Sequence, residues 1–390
     1  MLKVLMTGVS NIGTAGVATI AYNLGQALDN REVKIGYLAQ HGLTDEKYKK
    51  LIEDRGNKIY IMDCNSEGKL YKTKAIFDWV YRILTKERYD AIHINTDTAY
   101  LAAAYLWIAK RARTKYIIVH SHSRMVDDER DLPRKVKIFL HKMCSPYVQK
   151  NADVCLACSS QAGKWLFGNR KFTVIPNGID IDKFTYNERV RLEYRQKMGL
   201  DGKFVIVTVG RLAYSKKPCF TVDIFTEIVK KFPESRLLFV GDGPLRQEVQ
   251  EHVESKKMKE KIQLLGNRDD VSQLLSTADV FLLPSLFEGF GIAYIEAQAS
   301  GMPVFASDQV PNEAFVTDLI HRCSLHDSAV EWANQIVQHR SDARLEYVKE
   351  IMEDRYDINW ASKVLESEYL KLEGSHRGNQ DARKTYTEEN

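Results

Sequence analysis

Residues 288–296 read Glu-Gly-Phe-Gly-Ile-Ala-Tyr-Ile-Glu, two carboxylates eight positions apart. An apolar run ending at Pro284 precedes them, and Ala-Gln-Ala-Ser-Gly-Met-Pro follows. That order predicts a buried strand, a glycine-rich turn and a helix that starts near Gly291. A helix start leaves backbone N–H groups without intrahelical partners and carries the positive end of the dipole, which favours phosphate. Gly289 and Gly291 let backbone approach a ligand with no Cβ in the way. Glu288 stays in the loop, while Glu296 falls in the second helical turn, where it can accept hydrogen bonds from vicinal hydroxyls. The segment therefore reads as a sugar-nucleotide pocket with Glu288, Gly289, Phe290, Gly291, Ile292 and Glu296 as contacts. Spacing alone is equally compatible with two solvated surface carboxylates.

A second segment, Val209-Gly-Arg-Leu-Ala-Tyr-Ser-Lys216, ends one strand and opens another helix. In open α/β sheets, ligands bind outside the carboxyl ends of strands. Gly210 gives room there. Arg211 and Lys216, five apart, can both reach one diphosphate, the first as a planar fork and the second as a point charge. The glycines of Val240-Gly-Asp-Gly-Pro-Leu245 are read as serving tight backbone turning, and Asp242 is given no catalytic role. Near the N-terminus, the loop from Asn11 to Gly16 offers Gly13 and Gly16 but no complete GxGxxG. The run Val119-His-Ser-His-Ser-Arg124 closes another strand. A neutral imidazole at a strand's carboxyl end can hydrogen-bond a hydroxyl near neutral pH. His122 is the candidate, with His120 turned to the sheet interior.

The elements that must position these residues alternate. Short runs rich in Val, Ile, Leu and Phe without polar alternation indicate strands buried on both faces. Between them lie amphipathic helices, as where Val17, Ile20, Ala21, Leu24 and Leu28 share one face. The class is α/β with doubly wound sheets. A chain of 390 residues exceeds one ordinary core. The break is placed near 180–203, giving domains at 1–185 and 200–356, a final helix at 357–373, which the family resemblance given below makes a crossover helix onto the first domain, and a disordered polar tail at 374–390.

A hydrophobic content of 44% and a charged content of 28% are those of a soluble globular protein, and a net charge of +4 gives no polycation for nucleic acid. The longest apolar stretch, near 99–109, is too short to span a bilayer. Residues 1–8 read as a first strand rather than a signal segment. The six cysteines form no framework, and Cys155 and Cys158 are an isolated pair read as buried free thiols of a reducing cytoplasm. Between Lys110 and Lys142 ten basic residues face four acids, with Leu132, Val136, Phe139 and Leu140 interleaved. This fits either a surface for anionic lipid or a solvated helix face on a core.

The Glu288–Glu296 segment resembles the Glu-x7-Glu motif of glycosyltransferase family 4, retaining enzymes with two facing Rossmann-like domains of the GT-B type and a deep interdomain cleft. The 210–216 segment resembles that family's Gly-Arg-Leu-x3-Lys motif, and with the 240–245 turn, the N-terminal glycine loop and the final helix the resemblance covers residues 1 to about 373. It is nearest the bacterial branch that builds capsular and exopolysaccharides. Adjacent glycines usual in the family's first loop are replaced here by Ile12-Gly13.

The resemblance implies transfer of a sugar, with retention, from a nucleoside diphosphate donor, UDP by family frequency, to a hydroxyl of a glycan or polyprenyl-diphosphate-linked acceptor. It implies that Arg211 and Lys216 hold the leaving diphosphate, that Glu296 grips the ribose, and that Glu288 with backbone 289–291 holds the donor sugar. His122 would orient that sugar, and Arg268 would flank the base. Asp180 and Asp182 match the family's interdomain Asn-Gly-x-Asp linker, so no metal or other cofactor is expected. The location implied is the cytoplasm, with peripheral contact to the inner face of the plasma membrane. The runner-up readings are a nucleotide-sugar hydrolase or 2-epimerase and an inactive nucleotide-sugar-binding scaffold. A nicotinamide dehydrogenase ranks below these, because the first glycine loop is incomplete.

Overall fold

The computed structural model describes the chain except residues 11, 13–15, 41, 44, 63–68, 129, 341–343, 345–351, 353–354 and 386–390, and gives backbone alone for 69–73 and 373–385. Among the described residues thirteen strands form two sheets, and every pairing within them is parallel.

The first sheet holds β1 (Leu2–Met6), β2 (Val33–Ala39), β3 (Lys58–Ile61), β4 (Ala91–Thr96), β5 (Tyr116–Ser121), β6 (Val154–Ala157) and β7 (Thr173–Val174), in the order 3-2-1-4-5-6-7. The second holds β8 (Val205–Val209), β9 (Arg236–Val240), β10 (Ile262–Leu264), β11 (Val280–Leu283), β12 (Val304–Ser307) and β13 (Ile320–Cys323), in the order 10-9-8-11-12-13. Both orders reverse direction once, between β1 and β4 and between β8 and β11. Such switch points leave a crevice at the strands' carboxyl ends. The α/β class and the doubly wound sheets expected from the sequence are present.

The central strands are buried on both faces, which is why they read as unbroken apolar runs: every residue of β4, β5, β11 and β12 is buried. Helices cover each sheet. In the first, Leu106, Ile108, Ile92, Ile94, Ile117 and Phe167 share one core. In the second, Phe225, Ile228, Phe239, Leu282, Phe305 and Trp332 do the same. The cysteines at 155 and 158 are buried and in no disulfide, and burial pushes the Cys155 thiol up to about 11.

The chain divides into two compact units. The first comprises Met1–His122, Leu140–Ile175 and Ile358–Asn390; the second comprises Ser123–Phe139 and Pro176–Asp357. The last helix thus returns to the first unit. Its Ser362 Oγ donates to Leu24 O at 3.3 Å, and Tyr116 Oη donates to Leu372 O at 2.9 Å. The linker helix Glu188–Met198 packs with the second unit: Arg191 and Arg195 pair with Asp279, whose carboxylate also accepts the Val205 N–H at 2.7 Å.

One sequence expectation needs correction. Strand β13 had no place in the sequence reading, because His321 and Arg322 interrupt its apolar pattern; an edge strand tolerates them. The last helix is Ile358–Thr385. Among the described residues no helix is long and apolar enough to cross a membrane.

Candidate active site

In the second unit the two glycine-bearing segments emerge side by side, because β8 and β11 are neighbours at the switch point. Behind β8, Gly210 N donates to Val240 O at 2.9 Å and Leu212 N to Asp242 O at 3.0 Å. This backbone-to-backbone contact explains the glycines of the 240–245 turn. A Cβ on Gly241 would lie 2.1 Å from Gly210 O, and one on Gly243 would lie 2.3 Å from Leu212 O. They are close-approach residues. Asp242 faces Arg246 at 3.6 Å.

The loop then tightens into a short 3-10 turn, Tyr214–Lys216. Its middle residue is held from both sides. Asp127 accepts from Ser215 N at 3.2 Å and from Ser215 Oγ at 3.1 Å, and Ser215 O accepts from Leu286 N at 2.7 Å. Arg134 lies over the Tyr214 ring at 5.4 Å. So fixed, Lys216 runs past Gly210 and its Nζ reaches Glu288 Oε1 at 2.5 Å. Glu288 is buried, and the same oxygen accepts from Ser285 Oγ at 2.7 Å. Tyr294 Oη donates to Leu283 O at 2.8 Å and bonds Ser285 Oγ at 3.1 Å, locking the support beneath the pair. Arg124 also faces Glu288: burial lowers its pKa, and the glutamate pulls it back up. Arg211 is exposed, and among the described residues no ion pair engages its guanidinium.

Gly291 caps the helix Ile292–Ala299 in the left-handed region at φ 89°, and no side chain caps that end. An added Cβ there would meet the Tyr294 ring at 2.6 Å. The first N–H groups of this helix are thus without a side-chain cap, as a ligand's oxygens would require. Phe290 points the other way, fully buried and stacked on Tyr356 at 6.2 Å, so only its backbone can serve a ligand. On the next turn Glu296 is partly buried, and its carboxylate has no hydrogen-bond partner among the described residues. Burial pushes its pKa up to about 7, against a smaller downward pull from Lys183. Arg268, in the loop after β10, is held by Asp270 at 2.8 and 2.5 Å, and that carboxylate also takes the Tyr194 hydroxyl at 3.1 Å.

The first unit ends β4 and β5 with neutral polar groups. Asn95 Nδ2 donates to Thr7 O at 2.9 Å, which turns its Oδ1 to His122 Nε2 at 2.8 Å. His122 therefore carries its proton on Nε2, and its buried Nδ1 has no partner. His120 packs against it at 4.2 Å and meets His93 at 3.3 Å; His93 in turn meets the Tyr369 hydroxyl of the last helix at 2.5 Å. Burial holds His93 and His122 down at about 3 and His120 well below its ordinary value. Gly16 begins the helix Gly16–Ala27 with open space where a Cβ would stand, so packing does not require glycine there. Gly13 lies outside the described residues.

Two family models match this chain: Glycosyltransferase Family 4 over residues 14–183 and Glycosyl transferases group 1 over residues 190–349. The chain belongs to the family 4 glycosyltransferases. EpsF of Bacillus subtilis, described as a glycosyltransferase, is 25% identical over 88% of this chain and 90% of its own. The Escherichia coli UDP-Gal:α-D-GlcNAc-diphosphoundecaprenol α-1,3-galactosyltransferase is 26% identical over 77% of this chain and 78% of its own. Among solved structures, Anabaena HepE in complex with UDP and glucose superposes with a TM-score of 0.69 at 18% identity, covering 98% of this chain and all of that one. The fold is GT-B.

This glycosyltransferase brings Gly210, Lys216, Glu288, Gly289, Gly291 and Ile292 around one point of the second sheet, with Arg211 at its rim and Glu296 one turn deeper. Sequence reasoning missed Asp127, Ser285 and Tyr294, which hold that point. Ser285 lies three residues before Glu288 in the same loop, a local signal. Asp127 lies 88 residues from Ser215 and gave none.

Proposed function

We propose that this glycosyltransferase is a retaining enzyme that moves a sugar from a UDP-sugar to a hydroxyl of a glycan or polyprenyl-diphosphate-linked acceptor in capsular or exopolysaccharide assembly. The observation that carries it is the Lys216–Glu288 pair at the β8/β11 switch point, with the Arg211 cation beside it and an uncapped helix start in front. That set suits a ligand with a diphosphate at one end and sugar hydroxyls near the other. The donor named for the Escherichia coli relative and the UDP bound to HepE support UDP, and that relative's diphosphoundecaprenol acceptor supports a lipid-linked one.

In this reading the second unit holds the donor and the first the acceptor. Arg211, Lys216 and the Gly291 helix start take up the charge that develops on the leaving diphosphate. Glu288 and the backbone of Gly289, Phe290 and Gly291 hold the donor sugar, and Glu296 accepts from the ribose hydroxyls. Arg268 lines the base. His122, neutral and with a free Nδ1 lone pair, accepts from a sugar hydroxyl. A diphosphate oxygen takes the acceptor's proton as the new bond forms on the face the diphosphate leaves. Fixed cations supply the charge that a metal supplies in other transferases, so activity is expected to survive a chelator.

The test follows nucleoside diphosphate release from a panel of nucleotide sugars, with and without a lipid extract of capsule-producing cells. Extract-dependent release that disappears in Glu296→Ala and Lys216→Ala is the expected result. Equal release without extract would replace transfer by hydrolysis or epimerisation, and donor binding without any release would leave a scaffold.

A further inference from the structure

Glu288 and a departing diphosphate make competing claims on one cation. The Glu288 carboxylate is buried, and Lys216 Nζ neutralises it from 2.5 Å. The proposed reaction asks the same ammonium to serve the leaving group. That ammonium is a single point charge and cannot fully neutralise two anions. A buried carboxylate that loses its cation is costly. The Ser285 hydroxyl at 2.7 Å is neutral and cannot stand in for it. Donor binding therefore calls for a second cation at Glu288.

The neighbouring cations differ in their fitness for that place. Arg211 is exposed at the rim. Lys217 Nζ lies over the Phe220 ring at 4.4 Å. Arg124 is partly buried and faces Glu288, and its Nη2 donates to Leu286 O at 3.3 Å, in the loop that carries that glutamate. The segment around Arg124 is fastened to the same loops within the second unit. Ser123 Oγ takes the Met125 N–H at 3.3 Å and turns the chain just after β5. Asp127 then accepts from Ser215 N at 3.2 Å and from Ser215 Oγ at 3.1 Å, and Arg134 covers the Tyr214 ring at 5.4 Å. One network thus positions Arg124 and Lys216 together.

We propose that Arg124 is a positioning residue of this glycosyltransferase: it takes over the charge of Glu288 when Lys216 turns to the donor's diphosphate. The inference rests on the donor reading above and adds a partner exchange to it. No covalent bond changes in that exchange; one ammonium changes anions and the guanidinium stays with the carboxylate. Its signature is coupling between Arg124 and Glu288. Without Arg124, a diphosphate must compete with Glu288 for Lys216. Without the Glu288 charge, that competition is gone and Arg124 has nothing to relieve.

The experiment is calorimetric titration of the full chain with UDP, GDP and ADP, then a double-mutant cycle with the nucleotide that binds wild type most tightly. Arg124→Gln can still donate to Leu286 O but carries no charge, and it is expected to weaken binding on the order of tenfold. Arg124→Met repeats the measurement with a second uncharged side chain. Arg124→Lys should stay within about twofold of wild type, because a charge and not a planar fork is required. In a Glu288→Gln background, Arg124→Gln should cost at most about twofold. Equal losses in both backgrounds would make Arg124 a direct nucleotide contact or a mere anchor of the loop. An Arg124→Lys variant as weak as Arg124→Gln would make shape, not charge, the requirement. Either result would overturn the exchange and leave the donor reading standing. Wild-type protein that binds none of the three nucleotides would overturn both.

Discussion

The two sheets end their middle strands in opposite chemistry. The first closes with Asn95, His120 and His122, buried, neutral and hydrogen-bonded in a file that reaches Tyr369. The second closes with Arg211, Lys216, Glu288 and Glu296, charged or poised to be charged and partly open. Charge is useful where a diphosphate must leave, and costly anywhere it is buried without a partner. A neutral imidazole recognises a hydroxyl without competing for the same anion. Under the proposed function the difference would separate two tasks by ionisation state, and it predicts that variants of the two sheets fail in different ways.

The largest effect falls on Lys216. Lys216→Ala removes a cation at the leaving group and strips Glu288 of its ion pair in a buried place. Turnover is expected to fall on the order of 10²- to 10³-fold, and stability to drop by up to about 3 kcal/mol, the lower end of the range for breaking a buried pair because Lys216 is partly exposed. Combining it with Glu288→Gln should restore much of the melting temperature and none of the turnover. A Lys216→Ala enzyme with normal kcat would end the assignment of charge work to the second sheet.

The contrast was legible in part. Motifs within one loop, such as 210–216 and 288–296, showed in the sequence because a strand, a turn and a helix start leave local signatures. Unbroken apolar runs gave the parallel sheets for the same reason. What spacing could not show was support across long separations: Asp127 under Ser215, Arg134 over Tyr214, or Tyr369 closing the imidazole file from 276 residues away. The packing of the Phe290 ring against Tyr356, 66 positions on, was equally invisible. Strand β13 hid behind His321 and Arg322 because an edge needs only half an apolar pattern.

A smaller effect should appear at Glu296. Its pKa stands near 7, raised by burial, so the free enzyme holds it partly protonated at neutral pH. A carboxylate that accepts from two ribose hydroxyls must be ionised, so donor affinity should rise as pH climbs through 7. The expected gain is about tenfold between pH 6 and 8 for one titrating group. Glu296→Gln should bind more weakly at pH 8 and show a flat profile, read by calorimetry with UDP. An unchanged, sloping profile in that variant would move the titration to another group.

The smallest effect is a slope. His93, His120 and His122 all have folded pKa values below the unfolded 6.5, so between about pH 3 and 6.5 the unfolded chain binds more protons. Their contribution to stability is present above 6.5 and is lost as pH falls, at about 1.4 kcal/mol per pH unit for each group well inside that window. Glu296 works against them: with its pKa raised from 4.5 to about 7, the folded state holds its proton between those values, and stability falls as pH rises. From pH 5 to 6 stability should thus rise more steeply in Glu296→Gln than in the wild type, by roughly the slope of one group, in urea titrations at fixed pH. His120→Gln should remove one group from either background whatever it does to absolute stability. If the slope ignores His120, the imidazole file is not kept neutral by burial, and the division of labour between the sheets loses its physical basis.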